Sequence, residues 1–354
     1  MHGLGNDFVM VSDTQLFQCL GQEAEFRRQP VAVLGRLAQR LCDRRFGVGA
    51  DGLIVALRSR AQGNHLPELL DLLEPHLPYL HTQMPYSWIY TNSDGSASAM
   101  CGNGLRCLAL FMQHLGWSET TDSFAVSTAA YPVRLTAQSI SEGRAIVSTT
   151  LAGPTFDCAR IPCAPGAGDS QQFIARRLQV GDLNLTATAV GMGNPHCVIF
   201  DSPALNLSRY ADSMQGICDG SSAAFLSRFP APLLQLAEQI QSLPEFPQGV
   251  NVEFVLPLSS AKAQVFVVER GCGPTLACGS GALAVVAAGV IEGLLKRECC
   301  VILPGGELEV RWSEMDNSME LIGPAQLIYA GQIELAFDSI FSSAASGNNL
   351  GAVV

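Results

Sequence analysis

Short apolar runs, several of them alternating with polar positions, predict strands at Phe8–Val11, Leu53–Leu57, Trp88–Thr91, Phe124–Val133 and Arg144–Thr150. A hairpin pair is predicted within Leu178–Ala189 and a strand at the end of Gly191–Phe200. More strands are expected at Gly249–Leu256, Ala263–Glu269, Val301–Leu303, Leu308–Trp312, Met319–Ile322 and within Gly323–Phe337. Helical spacing appears over residues 31–45, where Val31, Leu34, Leu37, Ala38 and Leu41 share one face and Arg36, Gln39 and Arg40 the other. Two apolar runs predict buried helices: Leu105–Leu115, broken only by Arg106, Gln113 and His114, and Ala282–Leu295, broken by Glu292. Residues 58–87 and 203–248 interrupt the pattern with prolines, and read as inserted excursions carrying short helices at Pro67–Leu73 and Leu233–Leu243.

Each apolar helix is preceded by the same turn. Cys101-Gly102-Asn103-Gly104 opens one, and Cys278-Gly279-Ser280-Gly281 the other. A cysteine at a helix N-terminus faces free backbone N–H groups and the positive end of the helix dipole. That setting is expected to lower the thiol pKa.

Composition narrows what these cysteines can be for. The chain has 354 residues, 48% hydrophobic and 15% charged, which is the profile of a packed protein long enough for two domains. A net charge of -11 with no basic run argues against nucleic acid as a partner. Twelve cysteines are too few for a disulfide scaffold of this length. The N-terminus MHGLGNDF has no signal-peptide character, and no apolar run is long enough to span a bilayer. Reduced thiols in the cytoplasm are therefore expected, or in a plastid stroma if a transit peptide is missing. Cys101 and Cys107, like Cys272 and Cys278, are spaced wider than the close pairs of structural zinc sites, so no metal is expected. No pyridoxal-phosphate or nucleotide-phosphate motif is present, so no cofactor is expected either.

The chain reads as an internal duplication. GLGNDFVMV at Gly3 is matched by GMGNPHCVIF at Gly191, FGVGADGLIV at Phe46 loosely by QGVNVEFVL at Gln248, and the Cys101 turn by the Cys278 turn, in the same order. Two α+β lobes of matched topology would bring two cysteine-bearing helix N-termini face to face. Two acid–base groups on opposite sides of one carbon are what a one-step inversion needs. A thiolate takes the Cα–H from one face and a thiol returns a proton from the other. The backbone N–H groups of Gly102, Asn103, Gly279 and Ser280 would hold a carboxylate and stabilise carbanion charge.

The blocks MHGLGNDF, GADG, NSDG…MCGNGLRC, GMGNPHC, GVNVEF and ERG…LACGSGA together resemble the diaminopimelate epimerase family over nearly the full chain. The resemblance implies cofactor-free interconversion of LL- and meso-diaminopimelate, a small-molecule substrate. It also implies an α+β fold of two pseudo-symmetric lobes, each a mostly antiparallel sheet wrapped around a central helix. The lobes are expected at 1–123 and 124–324, with a last strand at 325–338 returning to the first lobe and a disordered tail at 339–354. By motif, Cys101 and Cys278 are the acid–base pair and His196 and Glu269 their polar partners. Asn6, Asn92, Asn194, Asn251 and Arg270 are substrate contacts. A homodimer is a candidate assembly. The alternatives are a related two-cysteine racemase and a non-catalytic binding paralogue. Three departures from the family pattern stand out. The first strand is short, Gly52 stands where some members have Gln, and Pro274 stands where Glu is usual, so the second turn is expected to be reshaped.

Overall fold

The computed structural model describes residues 1–60, 66–80, 84–118, 123–164, 171–214, 225 and 227–334. Strand β1 (His2–Gly3) folds back on β2 (Asn6–Ser12) through Leu4 and Gly5, both with positive φ. β2 runs parallel to β3 (Gly52–Arg58), a pairing that a tight turn cannot make. The link is a helical crossover of α1 (Asp13–Leu20), α2 (Ala24–Arg28) and α3 (Pro30–Cys42). Helix α4 (Pro67–Leu73) lies between β3 and its antiparallel neighbour β4 (Tyr86–Asn92). β4 is in turn parallel to β5 (Ser123–Ser127), and the crossover here is α5 (Gly102–His114). A hairpin of β6 (Val133–Ser141) and β7 (Arg144–Leu151) follows.

The second half repeats this plan. β8 (Arg176–Val180), β9 (Leu183–Gly191) and β10 (Pro195–Phe200) form an antiparallel run. Helix α6 (Ala231–Gln241) lies on the crossover to β11 (Asn251–Ser259), which is parallel to β10. β12 (Lys262–Glu269) pairs with the short β13 (Gly273–Pro274), and helix α7 (Gly279–Ile291) crosses to β14 (Glu298–Leu303), parallel to β12. β15 (Gly306–Trp312) and β16 (Met319–Gln326) complete the chain's sheet.

β16 joins the halves. It pairs with β15 on one side and with β7 on the other, and its last residue, Gln326, also pairs with His2. The strands β1 to β7 and β16 thus close into a ring of eight around α5, while β8 to β12 with β14, β15 and β16 wrap α7. Sheet surrounds each central helix, so nearly every position of both is buried; α7 is almost wholly apolar, while α5 also buries Asn103 and Arg106. Side chains of both helices belong to one continuous core. The outer face of β2–β4 is covered by α1, α3 and α4, with Leu16, Phe26, Leu34, Leu37, Leu69 and Leu73 buried there. A matching outer layer under α6 contains Leu233, Leu236 and Ile240. Among the described residues no helix is long and apolar enough to cross a membrane.

Several sequence expectations need correction. Residues 203–248 were expected to be an insertion. In the fold they occupy the connection that the parallel β10–β11 pair requires, the counterpart of residues 13–51 in the first half. The last strand was expected near residues 325–338, but among the described residues it ends at Gln326, because β7 turns away at Glu142–Gly143 and Leu327 makes the last backbone bond to it. The tail expected at 339–354 lies outside the described residues. Helices α1 and α2 were missed, and the stretch read as one strand over Phe124–Val133 is the end of β5, a turn and the start of β6. In α3, Val31 is exposed and Val33 takes the buried place assigned to it.

Candidate active site

Both cysteines are N-cap residues in extended conformation. Cys101 Sγ accepts from the Gly104 N–H, and Cys278 Sγ from the Gly281 N–H, each at 3.4 Å. The two helices meet at their first residues. A Cβ placed on Gly279 would lie 3.7 Å from Gly102 Cα, and one on Gly102 would lie 3.8 Å from Gly279 Cα. Leu321 of β16 fills the space against both, and its Cδ2 would lie 3.2 Å from a Cβ on Gly102 and 3.0 Å from one on Gly279.

Polar groups from both lobes converge on the paired termini. Asn103 donates through Nδ2 to Asn6 Oδ1 at 3.1 Å and also to Ala277 O at 3.1 Å, so its amide ties the first helix to the residue before Cys278. Asn6 Oδ1 also lies 3.8 Å from the Cys101 thiol, while its Nδ2 donates to Asp51 at 2.6 Å. Asp51 is itself held by Arg44 at 2.8 Å. Tyr90 acts beside Cys101 as well, its hydroxyl pushed up by burial first and then by the neighbouring thiol. On the other side, Ser280 Oγ is 3.6 Å from Cys278 Sγ. The Glu269 carboxylate accepts from Thr275 Oγ1 at 2.6 Å and acts electrostatically on the Cys278 thiol. His196 is fully buried, with Nδ1 2.7 Å from Glu253 Oε1 and Nε2 2.9 Å from Asn194 Oδ1. Glu253 is equally buried, and its Oε2 has no partner.

The expected pKa depression is reversed. Burial raises the Cys101 thiol to about 11, and Glu269 adds to the rise, while the Gly104 N–H and Arg106 act downward. Cys278 is pushed well above its usual range by burial first and then by Glu269 and Glu253, against Ser280 and the Gly281 N–H. The helix N-termini act in the expected direction, but desolvation of the thiolate outweighs them. Burial also raises Glu269.

Asn6, Asn103, Glu269, Gly102, Gly279 and Ser280 therefore gather around the two thiols, and His196 and Asn194 join the Cys278 side through Glu253. Asn251 is one step removed, since its Oδ1 accepts from the Arg270 backbone N–H at 2.8 Å. The exposed Arg270 guanidinium donates to Gln248 O and makes no ion pair with Glu269. Asn92 bonds to Ser96 and shapes the loop before Cys101 rather than touching the thiol. Gly52 is packed so tightly on Tyr90 that an added Cβ would meet its ring at 2.6 Å. Pro274 continues the turn as a strand partner of Val268, which brings Thr275 over Glu269. The short first strand does not loosen Asn6, because Asp51 and Asn103 hold both ends of its amide. Tyr90, Arg106 and Glu253 were missed as site residues, although all three lie within or beside the motif blocks.

Comparison with known proteins bears on the family and the fold. The model of the diaminopimelate epimerase family matches residues 1–151 and 188–328. The diaminopimelate epimerase of Synechocystis sp. is 34% identical over 338 residues, covering 94% of this chain and 97% of its own. That of Desulforudis audaxviator is 35% identical over 333 residues, covering 94% and 97%. The chloroplastic diaminopimelate epimerase of Oryza sativa is 33% identical over 331 residues, covering 93% and 77%. Among solved structures, a hydroxyproline epimerase from Agrobacterium vitis superposes with TM-score 0.54 at 14% identity, covering 92% of this chain and 89% of that one. A probable proline racemase from Agrobacterium radiobacter gives TM-score 0.54 at 14% identity, covering 96% and 94%. At that identity the likeness is one of fold.

Proposed function

This chain belongs to the diaminopimelate epimerase family, and from that premise we propose that it interconverts LL- and meso-2,6-diaminopimelate with Cys101 and Cys278 as paired base and acid. The observation that carries this reading is the abutment of two cysteine-capped helix N-termini at Gly102 and Gly279.

The first N–H groups of a helix have no partner within it. Those of Gly102, Asn103, Gly279 and Ser280 are thus available to the α-carboxylate, where carbanion charge collects once the Cα–H is removed. One cysteine, as thiolate, removes that proton, and the opposite thiol supplies another to the far face. The thiols exchange roles in the reverse direction. The Glu269 carboxylate opposes ionisation of Cys278 and so favours its protonated form. His196, set between Glu253 and Asn194, lines the same half. At the distal end of the substrate, Arg270 offers the charge-matched contact for the unreacting carboxylate.

Reduced protein incubated with LL-diaminopimelate in deuterium oxide is expected to place deuterium at one α-carbon and form the meso isomer. A panel of other amino acids is expected to stay unlabelled. Labelling of another amino acid in place of diaminopimelate would reassign the substrate, and no labelling of any would overturn the catalytic reading.

A further inference from the structure

We propose that Arg106 is a positioning residue of the first half-site alone: it sets a buried positive charge beneath Cys101 and fixes the Asn103 amide, and among the described residues Leu283 takes its place beneath Cys278. The proposal rests on the reading of Cys101 as an acid–base group.

Arg106 is fully buried one turn into α5. Its Nη2 donates to Asn103 Oδ1 at 2.7 Å, its Nη1 to Gly102 O at 3.4 Å and its Nε to Pro324 O at 3.3 Å. All three acceptors are neutral, and no carboxylate among the described residues pairs with it. Buried guanidinium groups normally have an anionic partner, since an uncompensated charge in the interior is costly. The ionisable groups that act on Arg106 are the thiols of Cys107 and Cys101. Cys107 is sealed in the core and held up at about 12 by burial, so it stays a neutral thiol. The anion that Arg106 can offset is a Cys101 thiolate. The link is also geometric. Arg106 fixes Asn103 Oδ1, which leaves Nδ2 to hold Asn6 Oδ1 against Cys101 and Ala277 O against the other lobe.

The duplication supplies an internal control. Counted from each cysteine, Arg106 corresponds to Leu283, which is also buried. An added Cβ on Gly104 would meet Ile54 at 2.9 Å, and one on Gly281 would meet Glu253 Oε1 at 2.8 Å, so Ile54 and Glu253 fill the same place. Phe8 pairs with Gly52 as His196 pairs with Asn251. One half-site is therefore built on Phe8, Ile54 and Arg106, the other on His196, Glu253 and Leu283. The buried cation lies under one thiol and the buried carboxylate beside the other. The remaining titratable groups that act at Cys101 are Glu269 from β12, which opposes its ionisation, the Tyr90 hydroxyl from β4, and Cys107 on α5.

The test is the pH dependence of iodoacetamide alkylation at Cys101 and at Cys278, followed by peptide mass spectrometry in the parent, Arg106→Gln and Arg106→Lys. Gln keeps a hydrogen-bond donor without the charge, and Lys keeps the charge. In Arg106→Gln the Cys101 midpoint should rise by about one unit or more, the scale of an opposite charge at short range, with the Cys278 midpoint unmoved. In Arg106→Lys the Cys101 midpoint should stay near the parent value. Arg106→Gln should lower kcat with little change in KM, because a fully buried group does not touch substrate. An unmoved Cys101 midpoint, or equal movement of both cysteines, would overturn the proposal by reducing Arg106 to a packing role. So would an Arg106→Lys midpoint raised by a unit, which decides the matter even if the Gln variant does not fold. Failure of the underlying reading looks different: parent protein alkylated at Cys101 would still invert the substrate α-carbon.

Discussion

Gly281 shows how little room the site leaves. An added Cβ there would meet Glu253 Oε1 at 2.8 Å and Cys278 Sγ at 3.3 Å. Gly281→Ala should displace the carboxylate from His196 and lower kcat/KM by about 100-fold, the scale of an ångström of misplacement in a catalytic group. Steady-state kinetics beside a melting curve would separate this from unfolding, and activity within a factor of two of the parent would contradict the packing described. Cysteines that address opposite faces of one carbon should also cross-link, because disulfide Cβ separations are about 3.5–4.5 Å. Oxidant should inactivate the protein reversibly through a Cys101–Cys278 bridge, and peptide maps of inactive protein with both thiols free would count against that geometry. At this scale the cysteines were legible because a rare residue type recurs in one turn motif. Arg106 and Glu253 were not. A polar residue in an apolar run normally marks the solvent face, but around α5 there is no solvent face, so burial could not be read from spacing. The depressed thiol pKa was misjudged for a related reason: sequence shows the helix end but not the desolvation that opposes it.

Among the elements, β16 carries most of the consequence for the site. It closes the first ring, borders the second sheet and places Leu321 against both Gly102 and Gly279. Leu321 is fully buried, so Leu321→Ala should cost about 2–5 kcal/mol of stability and let the helix ends shift, lowering kcat as well. Denaturant melts and kinetics on the same preparation check both parts, and a stable variant with unchanged kcat would show that the strand does not set the approach. Strand positions were largely readable from apolar alternation, yet β16 was split into a strand at Met319–Ile322 and another within Gly323–Phe337, since its end is set by where β7 turns rather than by its own residues. Helix α1 was missed although Ser12 and Gln15 form a capping box at its start. Its short apolar face, Leu16 and Leu20, gave too little periodicity to find.

Across the whole molecule, duplication accounts for both the fold and the site. The repeated order of motifs made the two lobes visible in the sequence. The shared strand and the crossover role of residues 203–248 were not, because they depend on which strands pair in parallel. The buried thiols also make stability pH-dependent. They titrate near 9 in an unfolded chain, but burial holds Cys101 and Cys299 at about 11 and Cys42, Cys107 and Cys163 at about 12 in the fold. The unfolded state loses these protons first. Their contribution is therefore complete below about pH 9 and is lost as pH rises towards 12. Melting temperature in reductant should fall steeply over that range, and a flat profile would contradict the burial. The most direct test of the two-base account is α-deuterium incorporation from deuterium oxide into LL- and meso-diaminopimelate by the parent, Cys101→Ala and Cys278→Ala under reducing conditions. The account predicts exchange with inversion in the parent and no inversion in either variant, with any residual exchange confined to one stereoisomer and opposite between the two. Equal residual exchange from both stereoisomers in a single variant would contradict it.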